Sequence, residues 1–107
     1  MYQIIHYLDS NENDLYQVWL DSLRDRTAKI AIIRRIARME LGQLGDHKPL
    51  RDGICELKID VGAGYRAYYA HVGNMLILLT CGGDKGSQKR DIDRAIRLLN
   101  DWKNRNG

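Results

Sequence analysis

Between Cys55 and Ser87 the cations fall where the chain turns: Lys58 inside an alternating segment, Arg66 just after Gly62-Ala63-Gly64-Tyr65, and Lys85 just after Gly82-Gly83-Asp84. An arginine presents two parallel N–H donors to phosphate oxygens, and a lysine adds a compact positive charge. Such a set suits binding a phosphodiester and stabilising added negative charge on it. The alternative for Arg66 is an ion pair with Glu56 or Asp60 across the hairpin. His47 is the only histidine in an expected loop, so it is the candidate for a proton-transfer group that titrates near neutrality. Other chemistries find less support. Gly82-Gly83-Asp84-Lys85-Gly86-Ser87 lacks the G-x-x-x-x-G-K-[ST] spacing of a nucleotide-phosphate loop, and Cys55 and Cys81 are too far apart for a C-x-x-C pair. We expect reduced core thiols, no metal and no cofactor.

The elements that must carry these residues follow from periodicity. Cys55, Leu57, Ile59 and Val61 alternate with Glu56, Lys58 and Asp60, which predicts a half-buried strand with an outward charged face. Gly62-Ala63-Gly64 reverses it into a strand over 65–72, and Gly73-Asn74 turns that into an unbroken apolar run over 75–81, a central strand. Arg66 then shares a face with Tyr68, and Tyr65 with Tyr69. These tyrosines suit either base stacking or the core.

Upstream, Tyr2–Leu8 reads as a strand that joins this meander. Capping residues at 9–11 predict a helix burying Leu15, Val18, Trp19 and Leu23, with Asp14, Gln17 and Asp21 wet. After a break at 24–27, Ala28, Ile32, Ile36 and Met39 or Glu40 predict a second helix, widened by Ile33 and Ala37. Lys29, Arg34, Arg35 and Arg38 are expected on its wet side, and its end at Gly42 or Gly45. Residues 43–53 read as a loop. A last helix from about Gln88 should bury Ile92, Ala95, Ile96, Leu99 and Trp102, and 104–107 should fray. This is one α+β domain over 1–107, with helices on one sheet face and the other face bare.

A chain of 107 residues buries roughly 60 to 70% of its unfolded surface, enough for one core. Seventeen Lys+Arg against fourteen Asp+Glu give a net charge of +3 and a pI near 9.0, which suits an anionic partner. No stretch resembles a signal peptide or a membrane span, so a cytoplasmic protein without membrane association is expected.

Several blocks in the same order carry a resemblance: residues 41–50, Leu-Gly-Gln-Leu-Gly-Asp-His-Lys-Pro-Leu, then Glu56-Leu57, Gly62-Ala63-Gly64-Tyr65-Arg66, and residues 81–88, Cys-Gly-Gly-Asp-Lys-Gly-Ser-Gln. Over essentially its whole length the chain resembles the RelE/ParE superfamily of toxins, most of all its HigB-like, phage-type addiction module killer subgroup. The resemblance implies a RelE/ParE-like fold: an N-terminal strand, a helical hairpin, a three-stranded antiparallel meander and a C-terminal helix. It also implies a cognate helix-turn-helix antitoxin through which the pair contacts operator DNA. RelE- and HigB-type members cleave mRNA on the ribosome without a metal; ParE-type members inhibit DNA gyrase. Carried over to this chain, Arg66, Lys85 and Lys58 become the catalytic cations, with His47 as a candidate acid or base. Lys48, Arg51, Tyr68, Lys89 and Arg90 become the RNA contacts. Asp60 stands where RelE has a second strand lysine, and Asp91 is the nearest match to its late tyrosine. An inactive, antitoxin-binding relative is the remaining possibility.

Overall fold

The computed structural model describes residues 1–106. In chain order the elements are β1 (Gln3–His6), α1 (Leu15–Ser22), α2 (Arg26–Glu40), β2 (His47–Pro49), β3 (Cys55–Ile59), β4 (Tyr65–Val72), β5 (Leu76–Asp84), a 3₁₀ turn (Lys85–Ser87) and α3 (Gln88–Asn106). They build an α+β fold around a five-stranded mixed sheet of order β1-β5-β4-β3-β2, in which β1 runs parallel to β5 and the other pairs are antiparallel. No described helix is long and apolar enough to cross a membrane.

The meander lies where the alternation puts it, and β5 is central and buried, as its apolar run requires. Coverage of the sheet differs from expectation. Leu57, Ile59, Ala67, Tyr69, Ile77 and Leu79 pack beneath α1 and α2 with Tyr16, Leu20, Ala28, Ile32 and Met39. Tyr68, Ala70, Leu78 and Cys81 pack on the opposite face beneath α3 with Ala95 and Leu99. The helices are therefore split between the two faces, and neither face is bare. β4 requires this, because Tyr-Arg-Ala-Tyr-Tyr-Ala leaves large apolar side chains on both sides of one strand.

Local differences have local causes. Helix α1 begins only at Leu15, since Asp14 is its N-cap and accepts from the Gln17 amide at 3.0 Å. Its buried stripe is Tyr16 and Leu20, while Val18 is 60% exposed. In so short a helix, with apolar residues at Leu15, Tyr16, Val18, Trp19 and Leu20, the sequence marks the phase of the buried stripe only weakly. Helix α2 ends as expected, with Gly42 at φ +84° just past the Leu41 C-cap. Arg35 is not wet: its guanidinium donates to the carbonyls of Lys58 (2.6 Å), Leu44 (3.1 Å) and Asp46 (3.1 Å). Those bonds fasten the segment after α2 to the sheet, which is why β2 forms inside the expected loop and pairs with β3. Helix α3 buries the predicted stripe and runs to Asn106, past the expected fray; Gly107 lies outside the described residues.

Candidate functional site

Register decides which side chains can meet, because directly paired strand residues project from the same face. Arg66 pairs with Lys58 on one side and Gly83 on the other; Tyr68 pairs with Glu56 and Cys81, and Glu56 with Lys48. Lys48, Glu56, Lys58, Arg66 and Tyr68 therefore share the α3 face. His47 pairs with Leu57, and Leu57 with Ala67, on the α1/α2 face. Its Nδ1 lies 2.8 Å from the Gly45 carbonyl oxygen. His47 is thus on the wrong side of the sheet, two strands away, to exchange a proton at a group held by Arg66, and the structure separates it from the other three catalytic candidates.

The Arg66 side chain lies down inside the protein. It is 4% exposed, its Nη1 donates to the Tyr65 carbonyl at 3.0 Å, and its Nε sits 3.4 Å from Oε1 of Glu56, itself 3% exposed. The same Glu56 oxygen accepts from Nε2 of Gln88 at 3.1 Å, so the start of α3 closes over the charged side of β3. The alternation in β3 predicts an open face at Glu56; α3 covers it. Of the two open readings of Arg66, the cross-hairpin ion pair with Glu56 describes the geometry.

Even so, Arg66 and Lys85 are neighbours. A side chain on Gly64 would meet Lys85 Cβ at 3.5 Å, Arg66 Nη1 at 3.8 Å and Asp60 Oδ1 at 3.9 Å. The Lys85 amide donates to the Gly64 carbonyl at 3.0 Å, which fixes the lysine beside the hairpin. Gly64 holds φ +84°, a conformation that side-chain-bearing residues rarely adopt, so the turn that brings the two cations together depends on glycine. Lys85 is exposed and Lys58 half-buried. Among the described residues neither has a carboxylate partner. The end of the sheet therefore carries two unpaired ammonium groups around a guanidinium that is already neutralised.

The expected RNA contacts divide. Tyr68 is completely buried with an unpartnered hydroxyl, and burial, then the nearby Glu56 and Asp91 carboxylates, raise its pKa; it is a core residue with no face for a base. Arg51 is exposed but already paired with Asp52 (3.0 Å) and with Asp93 of α3. Among the described residues Lys48, Lys89 and Arg90 are exposed and form no ion pair, and Lys89 and Arg90 line a shallow groove of about 460 Å³ with Gly86, Ser87 and Asp93.

Sequence reasoning missed what Gly82-Gly83-Asp84 does. Gly82 lies flat beneath the Trp19 ring and Gly83 beneath the Asp91 carboxylate, where any Cβ would collide. Asp84 caps the 3₁₀ turn by accepting from the amides of Gly86 (2.8 Å) and Ser87 (3.1 Å). Asp91 is 6% exposed and accepts from the Ser87 hydroxyl. The one signal for that pair is the four-residue spacing at a helix start. Trp19, Asp91, Arg90 and Arg94 enclose a second, smaller groove of about 250 Å³ along the strand.

Cys81 and Cys55 are free thiols, as expected. Burial pushes the Cys81 pKa up to about 11 from an ordinary 9.0. Near pH 8 only about one molecule in a thousand would then carry the thiolate, so iodoacetamide should leave Cys81 unmodified in the native protein and label it after denaturation. A raised folded-state pKa also means that its contribution to stability is complete below pH 9 and lost as pH climbs through about 11. The buried phenols of Tyr16, Tyr68 and Tyr69 act in the same direction at higher pH. Urea titrations should therefore show stability falling above pH 9, and less steeply in Cys81→Ala; a flat profile would refute this.

No family model matches the chain. Over 83 residues, 78% of this chain and 84% of the relative, it is 45% identical to an uncharacterized protein of Haemophilus influenzae.

Proposed function

The chain belongs to one family with that Haemophilus influenzae protein, and on that premise we propose that it is the toxin of a type II toxin-antitoxin pair, RelE/ParE-like and HigB-like, that cleaves mRNA on the ribosome. The observation that carries this reading is the meeting of Lys85 and Arg66 at Gly64, with Lys58 directly across from Arg66. The order of elements and the sequence blocks quoted above support it. In RNA cleavage by the neighbouring 2′-hydroxyl, an oxygen must lose its proton, the phosphorane must be stabilised, and the departing 5′-oxygen must gain a proton. The exposed Lys85 and the half-buried Lys58 are the charges that would hold the phosphate, while Lys48, Lys89 and Arg90 would follow the backbone. Arg66, held by Glu56, acts as a positioning residue that fixes the hairpin beneath them. A helix-turn-helix antitoxin would neutralise the toxin in the cytoplasm and bring it to operator DNA.

The burial of Arg66 against Glu56 and the placement of His47 on the far face favour a second reading, a ParE-like inhibitor that binds gyrase without chemistry. Expression followed by mapping of mRNA 5′ ends separates the two. The first reading expects new ends within translated codons, reduced about 100-fold in a Lys58→Ala, Lys85→Ala variant of unchanged stability. Growth arrest with intact mRNA and relaxed plasmid DNA supports the second. Unimpaired growth overturns both.

A further inference from the structure

Strand β1 accompanies β5 only as far as Leu79, so over residues 80–84 that edge of β5 has no neighbouring strand among the described residues. The groove of about 250 Å³ runs along this open edge, between α1 and α3. Its floor is the Gly82-Gly83 backbone, with Trp19 seated on one glycine and Asp91 on the other. Trp19 is half-buried, Arg94 is half-buried and Arg90 is exposed. The two arginines stand one turn apart on α3, on the same side of the helix. Among the described residues neither forms an ion pair, with Asp91 or with anything else. Asp91 is the residue that calls for an explanation. It is 6% exposed, and its Oδ2 accepts from the Ser87 hydroxyl. Its Oδ1 accepts from no described residue, yet it is not sealed away from the groove. A nearly buried carboxylate with one oxygen unused marks a place where a donor is missing.

The lining selects its ligand by exclusion. A carboxylate only accepts, so the ligand must bring N–H donors. Two unpaired guanidiniums call for an anionic group, and an indole wall for a flat ring. A simple anion would meet Asp91, and a simple cation would meet the arginines. A nucleotide carries donors, ring and anion in one molecule. Among the bases only guanine sets two N–H donors side by side, N1–H and the N2 amino group. Adenine and cytosine place a ring acceptor beside their amino group, and uracil flanks N3–H with two carbonyls, so each turns lone pairs toward a carboxylate. We propose that this groove is a guanine-nucleotide site, in which Asp91 reads the base edge, Trp19 walls the ring, and Arg90 and Arg94 hold the phosphate. Its volume is just under the roughly 300–1,000 Å³ of drug-sized pockets, the scale for one base with its phosphate at the mouth. The site does not rest on the cleavage reading: it lies along the open edge of β5, and its occupancy is measured without RNA cleavage, so either can fail alone.

The test is isothermal titration of the full chain with GMP, AMP, CMP, UMP, guanosine and inorganic phosphate. GMP is expected to bind at least about tenfold more tightly than the other three nucleotides. Asp91→Asn, an isostere that still accepts from Ser87, is expected to weaken GMP about tenfold and to level the four nucleotides. Arg94→Ala is expected to weaken GMP about fivefold and leave guanosine unchanged. No binding of GMP, equal binding of the four nucleotides, displacement of GMP by equimolar inorganic phosphate, or a guanine preference that survives Asp91→Asn overturns the proposal. Should Asp91→Asn unfold, Arg94→Ala decides in its place: equal losses for GMP and guanosine refute the assigned phosphate contact and with it the site. The same guanine chemistry is offered by a free nucleotide and by a guanosine within an RNA strand. An RNA pentamer with one central guanosine that displaces GMP supports the strand as the source, and one that fails to displace it supports the free nucleotide.

Discussion

Replacing Arg66 with alanine is expected to destabilise the protein by about 3–5 kcal/mol, a large part of the stability of a small domain. The physical reason is the carboxylate left behind: Glu56 is 3% exposed and would keep only the Gln88 amide as a partner in a site closed by α3. Glu56→Ala should be comparably damaging, because it strands the guanidinium with the Tyr65 carbonyl alone. Changing both, Arg66→Met with Glu56→Leu, should recover most of the loss, since replacing a buried ion pair with packed apolar groups is often near neutral. Urea denaturation of the three variants checks this; a loss under about 1 kcal/mol for Arg66→Ala would show that the pair does not hold the hairpin. The result also governs how toxicity data are read. A silent Arg66→Ala variant says nothing about chemistry if it is unfolded, whereas the folded double variant removes the guanidinium together with its carboxylate partner and keeps the fold. Retained mRNA cleavage in the double variant would confine the phosphate site to the lysines.

What was legible in the sequence is what short-range periodicity encodes. The alternation in β3, the apolar run of β5 and the glycine turns between them mark the meander, and the stripe of α3 marks its buried side. The identity of the cover was not legible. Glu56 stands in an alternating strand as an outward residue, and only a helix beginning thirty-two positions later turns it inward. The clue lay in β4, where aromatic and aliphatic residues occupy both phases of the alternation. Such a strand needs a layer on each side, and with three helices available that forces a split of two and one.

The candidate site was legible in part for the same reason. The glycine turn predicted that Arg66 faces the charged residues of β3 across a hairpin, at Glu56 or Asp60, and the register then sets Lys58 directly opposite it. The turn could not place His47, because the pairing of β2 depends on Arg35 gathering three carbonyls from residues nine to twenty-three positions away. Once that pairing is set, the period of two alone assigns Lys48 to the Arg66 face and His47 to the other.

The largest effect of a single added methyl group is expected at Gly82. The Trp19 ring lies on its Cα at less than van der Waals distance from any Cβ built there, and that ring is wedged between Tyr16 and Tyr65, with centroids 5.9 and 6.4 Å away. A rigid aromatic so confined cannot swing aside, so in Gly82→Ala α1 must lift from the sheet. Overpacking of this kind costs about 1–3 kcal/mol and occasionally more; with both the collider and its neighbours aromatic we expect the upper end, ~3 kcal/mol, or roughly 13 °C in melting temperature. Gly73→Ala is the control. It has φ +65° but nothing within 4 Å, so it bears backbone strain alone, of order 1 kcal/mol. Trimming the obstacle should relieve the clash: Gly82→Ala combined with Trp19→Leu is expected to lose less than the sum of the two single changes. Strict additivity in that cycle would mean that Trp19 is not what excludes a side chain at position 82. Because Trp19 and Gly82 also border the groove beside Arg90 and Arg94, the same cycle run on mRNA cleavage tests whether the seating of α1 matters to activity as well as to folding.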